Sequence, residues 1–247
     1  MIALIEYVGA ARGKKRLQLY DEEPLGMRAV RISLPRISGR KGERLLLGAA
    51  AVLERLRIKT VCFAEEFDRR GFFLELGFRE PDKRRLLAAK SSEIVLAACG
   101  ELRSVAVISG MIDDAAVTAL NTACSHFRWL MVDVGIETGR ICAELRRKTG
   151  ISVLEMPGRP ALRHADAAII FRGAGERCFG AICVVFCADR DARQQISGGR
   201  LLEKIEFSVP VNAGRLPAGY DRVQLMAAAF DEKQIKAEEL SVLSAVF

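Results

Sequence analysis

Several kinds of chemistry are excluded by what the chain has little of. Among 247 residues there are one Trp, three Tyr and two His, and aromatic residues make up 6%. That leaves no stacking platform of the kind single-stranded nucleic acid requires. The two histidines, His126 and His164, stand in no H-E-x-x-H arrangement, which excludes zinc hydrolysis of that pattern. Ser109 and Ser197 lack the flanking glycines of a G-x-S-x-G nucleophile turn. No apolar run approaches the ~18 to 20 residues of a membrane helix. The opening "MIALIEYVGAARGKKR" is interrupted by Glu6, and its basic cluster follows the apolar stretch. A secretory signal has the reverse order, so this segment reads as a strand and a turn.

Seven cysteines, an odd number, are scattered without a paired framework. Cys62, Cys99, Cys124 and Cys142 lie in apolar segments and read as small buried hydrophobes, which points to a reducing, cytoplasmic setting. Cys178, Cys183 and Cys187 do not converge on a metal if their segment is extended, because Cys178 then faces away from the other two. No metal site is expected.

What is present is a globular composition, 50% hydrophobic and 28% charged. The net charge of +7 is unevenly placed: residues 1–85 hold 19 Lys and Arg against 12 Asp and Glu, and the remainder balances. The basic excess gathers in "RGKKR" and "RISGRKGER". A solvated basic face is the plain reading; the sharper one is an anionic partner at this lobe, with Lys14, Lys15, Arg40 and Lys41 as its contacts.

The first third begins with three β-like runs, "IALIEYV", "RLQLYD" and "MRAVRISLP", punctuated by Gly9, Gly13, Pro24 and Gly26 as antiparallel strands joined by turns. "GERLLLGAAAVLERLR" is helical, with Leu45, Ala49, Val52 and Leu56 on one face. "TVCFAEE" is a strand candidate, and "PDKRRLLAAKSSEIVLAACG" a helix stopped by Gly100. From residue 104 the pattern changes. Residues 105–109, 130–134, 151–155 and 167–171 are continuous apolar runs, mostly linked by amphipathic helical segments. That alternation predicts buried, mainly parallel strands covered on both faces. The fold expected is α/β: a Rossmann-like, mainly parallel sheet with helices on both faces, plus an N-terminal antiparallel β/α lobe. The boundary falls at 103/104. "RCFGAICVVFCA" is expected to return as an antiparallel strand, "KIEFSVPV" as a strand and "DRVQLMAAAF" as a helix.

In open α/β sheets ligands bind beyond the carboxyl ends of the strands, where the strand order reverses. A dinucleotide turn there needs glycines at its first, third and sixth positions. The window from Gly110 reads "GMIDDA", with Ile112 third and Ala115 sixth. Asp113 and Asp114 would meet phosphate with like charge, so they are expected to cap the following helix instead. "ISGRKGER" joins a strand to a helix with Gly39, Arg40, Lys41 and Gly42, a candidate anion cradle of backbone N–H groups and positive charge. It lacks the G-x-x-x-x-G-K-[ST] spacing of a nucleotide-phosphate loop.

"VDVGIETG" (132–139) resembles the first motif of class I methyltransferases, in which a strand-end acid precedes glycines spaced D-x-G-x-G-x-G. Asp133, Gly135 and Gly139 match, and Glu137 replaces the central glycine. The resemblance implies S-adenosylmethionine over this turn, with Glu155 at the next strand end holding the ribose. Besides an anion- or nucleic-acid-binding protein working through the basic N-terminal lobe, two readings of function follow. One is a binding, regulatory or assembly module whose nucleotide signatures are degraded. The other is an enzyme, a divergent methyltransferase using Asp133, Gly135, Gly139 and Glu155.

Overall fold

The computed structural model describes residues 1–8, 16–171, 177–178, 183–186, 196–209 and 215–246. The chain forms two compact units, Met1–Lys83 with Val209–Glu239, and Arg84–Ser208 with Leu240–Phe247. The expected boundary at 103/104 falls inside the second unit, and the segment 209–239 returns to the first. Lys14 and Lys15, and the Cys178, Cys183 and Cys187 side chains, lie outside the described residues.

The first unit holds β1 (Ile2–Val8), β2 (Gln18–Glu22), β3 (Ala29–Pro35), α1 (Gly39–Arg55), β4 (Val61–Phe63) and α2 (Arg70–Glu75). Its sheet order is β2-β3-β1-β4. Only β2–β3 is antiparallel; β1 runs parallel to both β3 and β4. This corrects the expectation of three antiparallel strands, because period-two patterning specifies a strand's faces and not its direction. The stripe that α1 buries is Gly42, Leu46, Ala49, Ala50 and Leu53, rotated one position from the expected face. Phe63, Phe67 and Phe73 are fully buried. Phe73 stands at the centre of a ring cluster, with centroids 5.7 Å from Phe63, 6.0 Å from Phe67 and 5.4 Å from Phe72.

The second unit opens with α3 (Arg84–Cys99), which ends on Gly100 at φ +78°. There follow β5 (Ser104–Ile108), α4 (Asp114–His126), β6 (Trp129–Asp133), α5 (Thr138–Thr149), β7 (Ser152–Glu155), the four-residue α6 (Arg159–Leu162) and β8 (Ala167–Ile170). Short strands β9 (Arg177–Cys178), β10 (Cys183–Phe186), β11 (Ile196–Ser197) and β12 (Arg200–Leu201) come next. One sheet has the order β12-β10-β8-β5-β6-β7 and is parallel throughout. Read from β7, this is the 3-2-1-4-5-6 order of the Rossmann fold. The expected antiparallel return of "RCFGAICVVFCA" is corrected: β10 pairs parallel with β8. Separately, β13 (Lys204–Phe207) pairs antiparallel with β14 (Val242–Val246). The helix α7 (Arg222–Asp231) belongs to the first unit, and Asp221 caps it by accepting from the Gln224 N–H.

β5 and β8 are buried along their whole lengths, as their apolar runs predict. β7 is not: it is the edge strand, and only Val153 is half-buried. Right-handed crossovers place α4 and α5 on one face of the sheet, with α3 packed against α4. On the opposite face, Leu162 and Ala165 cover Ala106, Ile108, Ala168 and Ile170.

Asp166 ties the amino ends of β5 and β8 together. Its carboxylate accepts from the Arg103 N–H at 3.0 Å, and from the Ser104 N–H and Oγ–H at 2.9 Å each. Burial works against the charge, but the Ser104 and Arg103 bonds prevail and hold the carboxyl below its ordinary range. A carboxyl lowered by folding stabilises the native state above its unfolded pKa of about 3.9, and that support is lost as pH falls through the folded value. We expect Asp166→Ala to cost about 1 kcal/mol at pH 7, discounted for an exposed carboxylate, and less at pH 2, below the unfolded pKa. Equal urea midpoint shifts at the two pH values would contradict this.

Candidate functional site

The strand order reverses between β5 and β8, so the crevice of interest lies beyond the carboxyl ends of β5, β6, β7 and β8. Backbone bonds lock the turns at this edge to their neighbours. The Ser109 N–H donates to the Asp133 carbonyl, the Phe171 N–H to that of Ile108 and the Met156 N–H to that of Val132, each at 2.8 Å. Gly135 (φ +73°) lies against the Gly110 carbonyl so closely that a Cβ would sit 2.6 Å from its oxygen. Thr138, fully buried, accepts from the Val134 N–H at 2.8 Å and donates to the Gly135 carbonyl at 2.7 Å. Gly135 therefore serves the contact between two turns.

At the start of α4 the Asp113 carboxylate accepts from the Ala116 N–H at 2.8 Å. Asp114 occupies the first turn, where a carboxylate suits the positive end of the helix. The Arg84 guanidinium stands 4.0 Å from Asp113. Both acids thus sit as the sequence predicts. A dinucleotide pyrophosphate needs the helix N–H groups and close glycine backbone at this place. Here an N–H is already taken by a carboxylate, and Ile112 and Ala115 fill the second and third glycine positions. The residues present do not fit that group.

Asp133 ends β6, and Gly139 lies in the first turn of α5. A Cβ at Gly139 would stand 3.9 Å from Glu155 Oε2, so the fold brings Gly139 and Glu155 together. The Glu155 carboxylate is held by Arg146, whose guanidinium also donates to the Val153 carbonyl at 2.8 Å. Glu137 pairs with Arg140 at 2.6 Å. Nothing in the motif spacing reveals Arg146, which reaches Glu155 from one turn before the end of α5. Burial, helped by the Glu155 charge, pushes the Cys142 thiol up to about 11, and Cys62 rises to about 12 by burial. Neither supplies a thiolate near neutral pH. The rim of the edge is apolar, with Met111, Ile136 and Met156 exposed on the turns after β5, β6 and β7.

In the first unit, Gly39 (φ +70°) and Gly42 begin α1, and Arg40 and Lys41 are exposed beside them. A Cβ at Gly42 would fall 2.0 Å from the Ile37 carbonyl oxygen. That glycine is required by the packing of the helix start, independently of any anion. Among the described residues no group of three or more His, Cys, Asp and Glu is placed to hold a metal ion, and no helix is long and apolar enough to cross a membrane.

No family model matches the chain, and no curated protein matches it by sequence. Two solved structures are similar to it at low scores. L-tryptophan dehydrogenase from Nostoc punctiforme is 13% identical with a TM-score of 0.30, over 70% of this chain. The chain spans 57% of that enzyme's length. Quinate dehydrogenase from Corynebacterium glutamicum, solved in complex with NAD, is 10% identical with a TM-score of 0.28, over 73% of this chain and 79% of its own. The strand order and parallel pairing of its own sheet make the chain α/β and Rossmann-like, and neither likeness assigns a reaction or cofactor to this chain.

Proposed function

We propose that the chain is a binding module, regulatory or assembly in role, built on a Rossmann-like unit that works without a dinucleotide. The observation that carries this reading is the Asp113 cap on α4, 2.8 Å from the Ala116 N–H. It sets a negative charge where a pyrophosphate would need a donor. The apolar rim of Met111, Ile136 and Met156 suits protein contact better than phosphate.

The approach of Glu155 to Gly139 supports a second reading, a methyltransferase with S-adenosylmethionine over the turn after Asp133. On that reading Glu155 must leave Arg146 to receive ribose hydroxyls. Isothermal titration of the wild type with NAD, NADP and S-adenosylmethionine separates the two, with Glu155→Ala and Glu137→Gly as variants. The module reading expects no measurable binding by any of the three proteins. The methyltransferase reading expects micromolar wild-type binding, weakened by roughly 1.5 to 3 kcal/mol in Glu155→Ala, and unchanged or improved in Glu137→Gly. Dinucleotide binding at micromolar strength would overturn the module reading as surely as the methyl donor.

A further inference from the structure

A parallel sheet is normally covered by helices on both faces. Among the described residues, the helix that packs on both β6 and β7 is α5, on one face. On the other face Trp129 and Met131 alternate along β6, and Leu154 on β7 is the register partner of Met131. Trp129 is 63% exposed and Leu154 47%. The reason is the crossover from β7 to β8, whose helix α6 has four residues. Leu162 and the following Ala165 pack with residues of β5 and β8, with Met131 and Leu201 partly buried at the margin. Two strands about 5 Å apart leave a strip about 10 Å wide, the diameter of one helix.

The strip is flanked by basic residues at its amino end, while Asp133 and Glu155 stand at its carboxyl end. Arg103 and Arg128 are exposed at the amino ends of β5 and β6, and Arg163 and His164 are exposed on the crossover beside it. Glu101 and Asp166 are the acids at that end, and Asp166 is turned into the Arg103 and Ser104 amides. We propose that the strip formed by Trp129, Met131 and Leu154 is a docking face for an acidic amphipathic helix of a partner protein. Leucines on one side of such a helix cover the three apolar side chains, and glutamates on its flanks meet Arg103, Arg128 and Arg163. The face runs from Trp129 at the amino end of β6 to Leu154, one residue before the carboxyl end of β7, and the inference uses none of the turns at the carboxyl edge.

Trp129 is the chain's single tryptophan, so its fluorescence reports on this face alone. The probe is a synthetic helical peptide with a leucine stripe flanked by glutamates, titrated into the full chain. A control peptide carries the same stripe with lysines. The glutamate peptide should move Trp129 emission to shorter wavelength saturably, shield it from iodide, and bind more weakly as salt rises. Leu154→Glu, at an exposed position and with an unchanged melting temperature, should weaken binding at least about tenfold. Arg128→Glu with Arg163→Glu should do the same for the glutamate peptide and improve the lysine one. The proposal is overturned if no saturable shift occurs up to about 1 mM peptide, or if both peptides bind alike. It is also overturned if emission changes with protein concentration alone, which would place a second copy on the face. A response to phosphatidylserine vesicles and not to the peptide would overturn it as well.

Discussion

Gly135→Ala is expected to destabilise the second unit by about 2 to 5 kcal/mol. An alanine held at φ +73° costs about 1 to 2 kcal/mol. Its Cβ, 2.6 Å from the Gly110 carbonyl oxygen, must also push apart two backbone segments, and overpacking of this kind costs about 1 to 3 kcal/mol. Neither segment yields easily, because Ser109 is bonded to the Asp133 carbonyl and Thr138 bridges Val134 and Gly135. Gly139 supplies the contrast. A Cβ there finds only the Glu155 carboxylate at an ordinary 3.9 Å, and alanine is the better helix former by about 1 kcal/mol. Gly139→Ala should therefore be neutral or stabilising. Urea unfolding of both variants decides the matter, and a Gly135→Ala midpoint equal to the wild type would refute the tight contact.

Phe73→Ala should be nearly as severe in the first unit, at about 3 to 5 kcal/mol for a large-to-small change at a fully buried ring. Four other phenylalanine rings lie within 6.0 Å of Phe73, centroid to centroid. The void cannot close without dragging α2 inward, and that six-residue helix has few other anchors to the core: Phe73 is its one buried residue. Phe73→Leu, which keeps most of the volume, should cost clearly less. Calorimetric melting of the two variants tests this; a loss under 1 kcal/mol for the alanine variant would mean that the cluster rearranges freely.

The sequence reveals the parts of this fold whose surroundings are uniform. β5 and β8 are buried on both faces, so apart from Ser104, which is satisfied by Asp166, their residues are apolar, and they are visible without a structure. β7, with Val153 and Leu154 between Ser152 and Glu155, lies exposed because it is the edge strand, and edge position depends on the order of strands and not on the strand itself. Pairing direction is equally hidden: β1 beside β3 and β10 beside β8 both run parallel where turns and spacing point the other way. At the candidate site the Asp113 cap is legible because capping is local, three residues from Asp113 to Ala116. The Arg146 clamp on Glu155 and the Gly110 contact of Gly135 join segments separated in the chain, and no local pattern announces them. The Phe73 cluster escapes notice for the same reason, since Phe63, Phe67 and Phe78 converge only once α2 is placed.

The interleaving of the two units has a consequence for synthesis on the ribosome. The first unit waits for Val209–Glu239, which carries α7, and the second waits for Leu240–Phe247, which carries β14, the partner of β13. A nascent chain that has reached residue 208 owns neither segment. At roughly 5 to 20 residues per second, apolar faces meant for α7 and β14 stay uncovered for seconds after most of both sheets has emerged. The first unit has all its segments once Glu239 has been made, and the second only with the residues that follow.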